Sequence, residues 1–146
     1  MKKLGDTLAK LDTVEIKQLL KEPIISIITT MRPDGTPHMT PVWHLVRGDK
    51  ILVGVEEKSV KARNVRENPT VALCVAANES PQRWALVNGT AKLTHHEVTD
   101  VVTEVSMHYV RGEEEGKAYV EKVLRELDFV LLEITPTNIV GFDGLD

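Results

Sequence analysis

Apolar residues follow a helical spacing at the start of the chain and a strand spacing after it. Ahead of Pro23 they recur every three or four residues, at Leu4, Leu8, Leu11, Ile16, Leu19 and Leu20. Since proline disfavours a helical residue before it, this spacing predicts one or two helices within a segment of about 4–22. Residues 24–31 are β-branched and almost all apolar, which is typical of a strand buried on both faces.

A second strand is predicted by strict alternation of its side chains. It follows a turn over 32–35 that has proline second and glycine fourth. One face holds Pro37, Met39, Pro41, Trp43 and Leu45, and the other holds Thr36, His38, Thr40, Val42 and His44. We expect His38 and His44 to lie on an exposed polar face. The less favoured alternative is that one of them acts as a proton donor. A turn over 47–50 and a third strand over 51–55 follow.

The rest of the chain mixes helices and strands. A helix over 59–68 has Ser59 as its N-cap and Asn68–Pro69 as its stop. Strands are expected over 71–77, 84–93, 129–135 and 139–142. Thr94 and Glu97 have the spacing of a capping box, which predicts the start of a helix with a valine stripe at Val98, Val101, Val102 and Val105. A charged helix over 113–127 follows it.

Closely spaced strands with one short helix among them do not form a series of parallel βαβ units. They predict a mainly β, antiparallel barrel with peripheral helices. We find no internal repeat and no linker, so residues 1–146 are expected to form a single domain, with the barrel over about 24–142.

Composition narrows the possible partners. The chain of 146 residues has a net charge of −4, which gives no bulk electrostatic support for binding nucleic acid or an anionic membrane. No apolar stretch approaches the length of a membrane span, and the N-terminus is too polar for a signal peptide, so we expect a cytoplasmic protein. The single cysteine, Cys74, excludes an intramolecular disulfide and is expected to be a small buried residue. His95 and His96 are adjacent and predict no metal site.

The most informative segment is residues 58–69. The sequence has no motif for dinucleotide binding, no P-loop motif and no nucleophile-elbow motif. The N-terminus of a helix favours phosphate groups, and here Ser59 is accompanied by the cations Lys58, Lys61 and Arg63. Lys61 shares a helix face with Asn64 and Val65, which we expect to be turned toward the protein. The alternative is a basic surface helix in which Arg63 pairs with Glu67.

A second candidate site is a groove between two strands. Pro41 lacks a backbone donor within the segment 40–43, and the strand over 52–55 contains Gly54, past which a flat ligand could approach closely. An irregular barrel corner with Trp43 in the core is an equal alternative.

These segments resemble the pyridoxamine 5'-phosphate oxidase-like, FMN-binding split-barrel superfamily, and within it the branch of deazaflavin (F420)-dependent oxidoreductases. The resemblance rests on residues 34–43, on 59–65 with 68–73, on 87–93 and on 134–141. The order and spacing of these motifs, from about Ile24 to Gly141, make the resemblance specific.

The resemblance implies a six-stranded split barrel, a homodimer and two cofactor sites at the subunit interface. It implies that the phosphate is held by Lys61, with neighbouring contributions from Ser59, Arg63, Asn64 and Arg32. It places the ring system along two strands, at Thr40, Pro41, Val42 and Trp43 and at Val53, Gly54 and Val55. The partner subunit is expected to contribute from the strand that holds Trp84.

The activity implied is that of an oxidoreductase, in which bound F420 or FMN exchanges hydride or electrons with a small organic substrate. Many relatives have a basic residue where this chain has Ser59, so the sequence leaves the choice between F420 and FMN open; Lys58 and Arg63 could hold the acidic tail of F420. The alternatives are a cofactor-binding or storage protein without turnover, and a haem-handling split barrel. The sequence identifies no catalytic residue.

Overall fold

The computed structural model describes residues 3–7, 14–80 and 82–142. The described residues contain eight strands: β1 (Lys3–Thr7), β2 (Ser26–Met31), β3 (Pro37–Val42), β4 (Leu45–Arg47), β5 (Lys50–Glu56), β6 (Thr70–Ala76), β7 (Trp84–Thr94) and β8 (Phe129–Phe142). They also contain four helices: α1 (Val14–Lys21), α2 (Val60–Glu67), α3 (Val98–Tyr109) and α4 (Glu113–Glu126). No helix in these parts of the chain is long and apolar enough to cross a bilayer.

All of the strands belong to one antiparallel sheet, with the order β3-β2-β6-β7-β8-β5-β4 and with β1 paired to β8. The strands at the two ends of this order, β3 and β4, are consecutive in the chain and are joined only by Trp43 and His44. A sheet whose opposite edges are linked by two residues must curl back on itself. The result is an open, split barrel, because no ladder between β3 and β4 closes it in the described residues.

The expected barrel is therefore confirmed, with a strand count that differs from the six expected. The strand predicted over 36–45 ends at Val42, and Trp43 and His44 form the corner of the barrel. The two closing strands are one long strand, β8, which pairs with β5, β7 and β1.

The prediction of a helix at the very start of the chain is wrong for Lys3–Thr7, which pairs with β8 between Ile139 and Phe142. This pairing joins segments about as far apart in sequence as the chain allows, so no local pattern reports it. Leu8 and Leu11 lie outside the described residues. The second half of the prediction is confirmed, because α1 buries Ile16, Leu19 and Leu20.

The alternation of the strands separates an inner face from an outer face. The inner face forms one apolar core that includes Ile28, Leu73, Val87 and Leu132, each fully buried. On the outer face, the register places five apolar residues in one row across β3, β2, β6, β7 and β8: Pro41, Ile27, Cys74, Leu86 and Val140. These side chains are only partly covered.

The capping box predicted for α3 is wrong. The N-cap is Glu97, which has a left-handed φ of 57° and no capping hydrogen bond from its side chain. The hydroxyl of Thr94 accepts instead from the backbone N–H of His96, 3.1 Å away. Once started, α3 buries Val101, Val102 and Val105, as the valine stripe predicted.

Candidate functional site

A cleft of about 320 Å³ lies between the barrel corner and the α3–α4 hairpin. Three segments that are distant in sequence meet in it. The corner contributes Pro41, Val42 and Trp43, strand β5 contributes Gly54 and Val55, and the start of α2 contributes Ser59 and Lys61. The two candidate sites of the sequence, the helix N-terminus and the groove, are thus parts of one cleft.

The polar end of the cleft is the first turn of α2. Ser59 caps this helix, since its hydroxyl accepts from the N–H of Ala62 at 3.2 Å. Lys61 is half-buried, and its ammonium group makes no hydrogen bond or ion pair with any described residue. Burial lowers the pKa of Lys61, and the carboxylate of Glu56, which also lines the cleft, acts in the opposite direction. Such a cation favours an anionic ligand.

Two polar atoms on the inner face of β3 lack partners. Nδ1 of His38 and Oγ1 of Thr40 are buried and form no hydrogen bond within the described residues. Burial lowers the pKa of His38, and the positive charges of Arg32 and Lys61 lower it further. Neither residue lines the cleft, so these two enclosed atoms are not placed where a ligand in the cleft could reach them.

The remaining predicted residues lie in different surroundings. Asn64 is buried, and its amide donates to Oγ1 of Thr30 at 3.0 Å, as expected for the inward face of α2. Arg32 is exposed and donates to the carbonyl oxygen of Pro37 at 2.7 Å, across its own turn. Lys58 and Arg63 are exposed, and no ion pair joins Arg63 to Glu67 in the described structure.

Seven of the fourteen predicted site residues do not line the cleft of this subunit: Arg32, Thr40, Val53, Lys58, Arg63, Asn64 and Trp84. Val53 is fully buried in the core. Trp84 begins β7 beside Ala76 and Phe142, and it does not line the cleft. The adjacent Arg83 forms ion pairs with Glu22, at 3.0 Å, and with Glu79.

The corner is fixed by a buried polar network centred on His44. The expectation of an exposed histidine is wrong here, because His44 is 1% exposed. Its Nε2 lies 2.7 Å from the carbonyl oxygen of Leu20, which can only accept, so Nε2 holds the proton. Its Nδ1 therefore accepts, from the hydroxyl of Ser26 at 2.9 Å. Burial lowers the pKa of His44, and the ring is neutral near pH 7.

Residues of α3 and α4 form the opposite wall of the cleft, which the sequence did not identify as part of a site. This wall consists of Val101, Val102, Val105, Ser106, Tyr119 and Val123. By itself, the valine stripe predicts only a buried helix face. The signal that could have pointed to a site is Ser106, a polar residue directly beside the stripe.

The other candidate groups, His95 and Cys74, do not line the cleft. His95 lies 2.8 Å from the carboxylate of Glu57. Cys74 is half-buried in the outer row, and burial raises the pKa of its thiol, so that it stays protonated. No group of three or more potential metal ligands is found in the parts of the chain that the structure describes.

Comparison with known proteins agrees with this architecture. Residues 13–141 match the family model described as pyridoxamine 5'-phosphate oxidase. The chain belongs to this family.

Solved structures with the same fold differ in their described roles. An F420 reductase superposes with a TM-score of 0.67 at 22% identity, over 84% of this chain and 94% of the other. A conserved hypothetical protein from Mycobacterium tuberculosis superposes with a TM-score of 0.71 at 21% identity, over 93% of this chain and 87% of the other. The haem storage protein HutZ from Vibrio cholerae superposes with a TM-score of 0.64 at 18% identity, over 84% of this chain and 87% of the other. At these identities the likeness establishes the fold alone.

Proposed function

We propose that this protein binds FMN or the deazaflavin F420 in the cleft and acts as an oxidoreductase on a small organic substrate. The observation that carries the proposal is the convergence of Pro41–Trp43, Gly54–Val55 and Lys61 on one cleft. A flat ring can lie along the backbone of β5 beside Gly54, while its phosphate reaches the start of α2. The similarity to an F420 reductase supports the deazaflavin as one of the two candidates.

In this proposal each part of the cleft has a different task. Lys61 neutralises the phosphate at the start of α2. Trp43 forms a side wall that the His44 network holds in place. The bound flavin or deazaflavin would supply the hydride or electron chemistry, while the protein binds, orients and shields it. This division of tasks requires no catalytic triad.

We further propose that the protein works as a homodimer. The outer row, as defined above, leaves an apolar stripe across five strands, and nearby Met39 is 62% exposed. A second copy of the same sheet face would bury both stripes, which is the isologous contact of a two-fold dimer. The family resemblance also favours a dimer with the cofactor sites at its interface.

The absorption spectrum of the purified protein, followed by titration with FMN and with F420, tests the cofactor. We expect a flavin or deazaflavin band, or saturable binding of one of the two cofactors. A Soret band without flavin binding would indicate a haem-handling protein. If a cofactor binds, its reduction followed by a screen of electron acceptors separates turnover from storage.

Two alanine variants test the phosphate assignment. Lys61→Ala removes the half-buried cation and is expected to weaken FMN binding more than tenfold, within the range of about 1.5–3 kcal/mol for hydrogen bonds to charged groups. Arg63→Ala removes an exposed cation two residues away on another face and is expected to have a smaller effect. Equal and small effects of the two substitutions would refute the assignment.

A further inference from the structure

We propose that the α3–α4 wall binds the substrate, and that Ser106 donates a hydrogen bond to an oxygen atom of a flat, uncharged molecule. Ser106 lines the cleft and is only 2% exposed. Its hydroxyl forms no hydrogen bond with any described residue, and its oxygen is not one of the fully enclosed polar atoms without a partner, so it is open to the cleft. A hydroxyl on the wall of the cleft that has no protein partner is free to donate to a ligand bound there.

The helix itself does not explain this serine. Thr103, one turn earlier on α3, satisfies its hydroxyl by donating to the carbonyl oxygen of Thr99 at 2.7 Å. Ser106 makes no such bond to its own helix. Serine is also a poorer helix former than alanine, so an alanine would be more favourable at this position if it only filled space.

The surroundings of Ser106 define the class of ligand. The neighbouring wall is built from Val102, Val105 and Val123, and the aromatic rings of Trp43 and Tyr119 offer flat apolar surfaces. Burying a charge against such a wall is costly, so it favours an uncharged molecule. The cation that suits an anion, Lys61, lies at the other end of the cleft, beside Ser59.

The choice of an oxygen acceptor rests on the proposed function. An organic molecule that takes up hydride or electrons needs an electron-withdrawing group, of which a conjugated carbonyl is the common neutral example. Its oxygen is an acceptor, and the serine hydroxyl is a donor of matching size. We therefore assign the substrate to the class of flat, uncharged carbonyl compounds.

Calorimetric titration of FMN-loaded protein with three ligands of one shape tests the assignment. The probes are 1-tetralone, which has the carbonyl, tetralin, which lacks it, and 5,6,7,8-tetrahydro-2-naphthoate, which is charged. Ser106→Ala is the test variant, and it is not expected to impair folding, because alanine favours the helix. Thr103→Ala removes a hydroxyl from the same helix outside the cleft and is the matched control.

We expect 1-tetralone to bind more tightly than either other probe. Ser106→Ala should weaken its binding by about three- to tenfold, the net value of one hydrogen bond, and should leave tetralin binding unchanged. Thr103→Ala should change neither. Failure of wild-type protein to bind 1-tetralone, preference for the carboxylate, or equal effects of Ser106→Ala on ketone and hydrocarbon would overturn the proposal. The separate FMN titration reports on the cofactor site, so failure of one proposal is distinguishable from failure of the other.

Discussion

The phenol ring of Tyr109 on α3 is stacked on the indole of Trp43, with ring centroids 5.1 Å apart and planes inclined by 10°. The same phenol hydroxyl donates to the carbonyl oxygen of Ile24 at 2.8 Å and accepts from the backbone N–H of His44 at 3.3 Å. One side chain of α3 is therefore hydrogen-bonded both to the barrel corner, at His44, and to Ile24, just before β2. These contacts tie α3 to the barrel corner, beside the cleft.

Tyr109→Phe is expected to retain the stacking and lose both hydrogen bonds. Because this leaves two partly buried backbone groups without their partner, the free energy of unfolding should fall by about 1–2 kcal/mol. Urea denaturation measures the loss. Tyr119→Phe is the control, since Tyr119 is 38% exposed, and its cost should lie within about 0.5 kcal/mol of zero. Equal costs for the two variants would contradict the role given to the Tyr109 hydroxyl.

The neutral, buried His44 predicts that the protein loses stability in mild acid. Burial lowers the pKa of His44 in the folded state below its ordinary 6.5, so the unfolded chain takes up the proton more readily. The contribution is fully present above pH 6.5 and is lost as the pH falls through the lowered value, by at most about 1.4 kcal/mol per pH unit.

Urea denaturation between about pH 7.5 and about pH 5 measures this slope in wild type and in His44→Gln. The variant should show a shallower decline. Because burial also lowers the pKa of His38, some slope remains in the variant, and the difference between the two proteins isolates His44. Parallel curves would show that His44 does not titrate in this range.

Much of the site could be predicted because it depends on local chemistry. The cap at Ser59, the inward face of Lys61 and Asn64, and the turn before β3 follow from a few neighbouring residues. The alternation along β3 was also correct, but alternation separates two faces without telling which one is inside. His44 lies on the inner side because Ser26 and Leu20, distant in sequence, provide its partners.

Long-range pairing accounts for what could not be predicted. The strand Lys3–Thr7 exists because β8 offers it an edge between residues 139 and 142. The α3–α4 wall is part of the site because α3 packs across β5, where Gly54 leaves room for Val102. Neither the pairing of β1 with β8 nor the packing of α3 on β5 can be predicted from the sequence of those segments alone.

The lowered pKa of Lys61 predicts that FMN affinity declines at alkaline pH. As the pH rises through a value below the ordinary 10.5, Lys61 loses its charge and its attraction for phosphate. Quenching of FMN fluorescence between about pH 7 and about pH 10 measures the dissociation constant. Lys61→Arg stays charged throughout and also reports titration of the cofactor itself. An equal decline in both proteins would exclude Lys61 as the cause.

The dimer is tested by a charge in the outer row. Leu86→Glu places a carboxylate between Cys74 and Val140, its neighbours in that row, where burial against a second copy would be unfavourable. We expect a dimer for wild type and a monomer for the variant by analytical ultracentrifugation, with weaker FMN binding in the monomer. Lys122→Glu on the exposed side of α4 should remain dimeric. A monomeric wild type that binds FMN tightly would refute the interface.

Gly89, in the motif at 87–93 that contributed to the resemblance, lies at an irregularity of the β7–β8 ladder. A Cβ there would be 2.4 Å from the carbonyl oxygen of Thr135 and 3.2 Å from Cα of Pro136, and both are backbone atoms that cannot rotate away. We therefore expect Gly89→Ala to lower the free energy of unfolding by about 2 kcal/mol or more in urea denaturation.

Gly48→Ala distinguishes the cost of this steric clash from the cost of placing alanine in a left-handed backbone conformation. Gly48 has a φ of 62° and open space around its Cα, so alanine there carries only the left-handed penalty of about 1–2 kcal/mol. Its effect should be confined to stability, because the turn between β4 and β5 is away from the cleft lining. Gly89→Ala would have to displace β8 relative to β7, so its cost should exceed that of Gly48→Ala. A Gly89→Ala protein as stable as wild type would show that the two strands can separate at this point without loss.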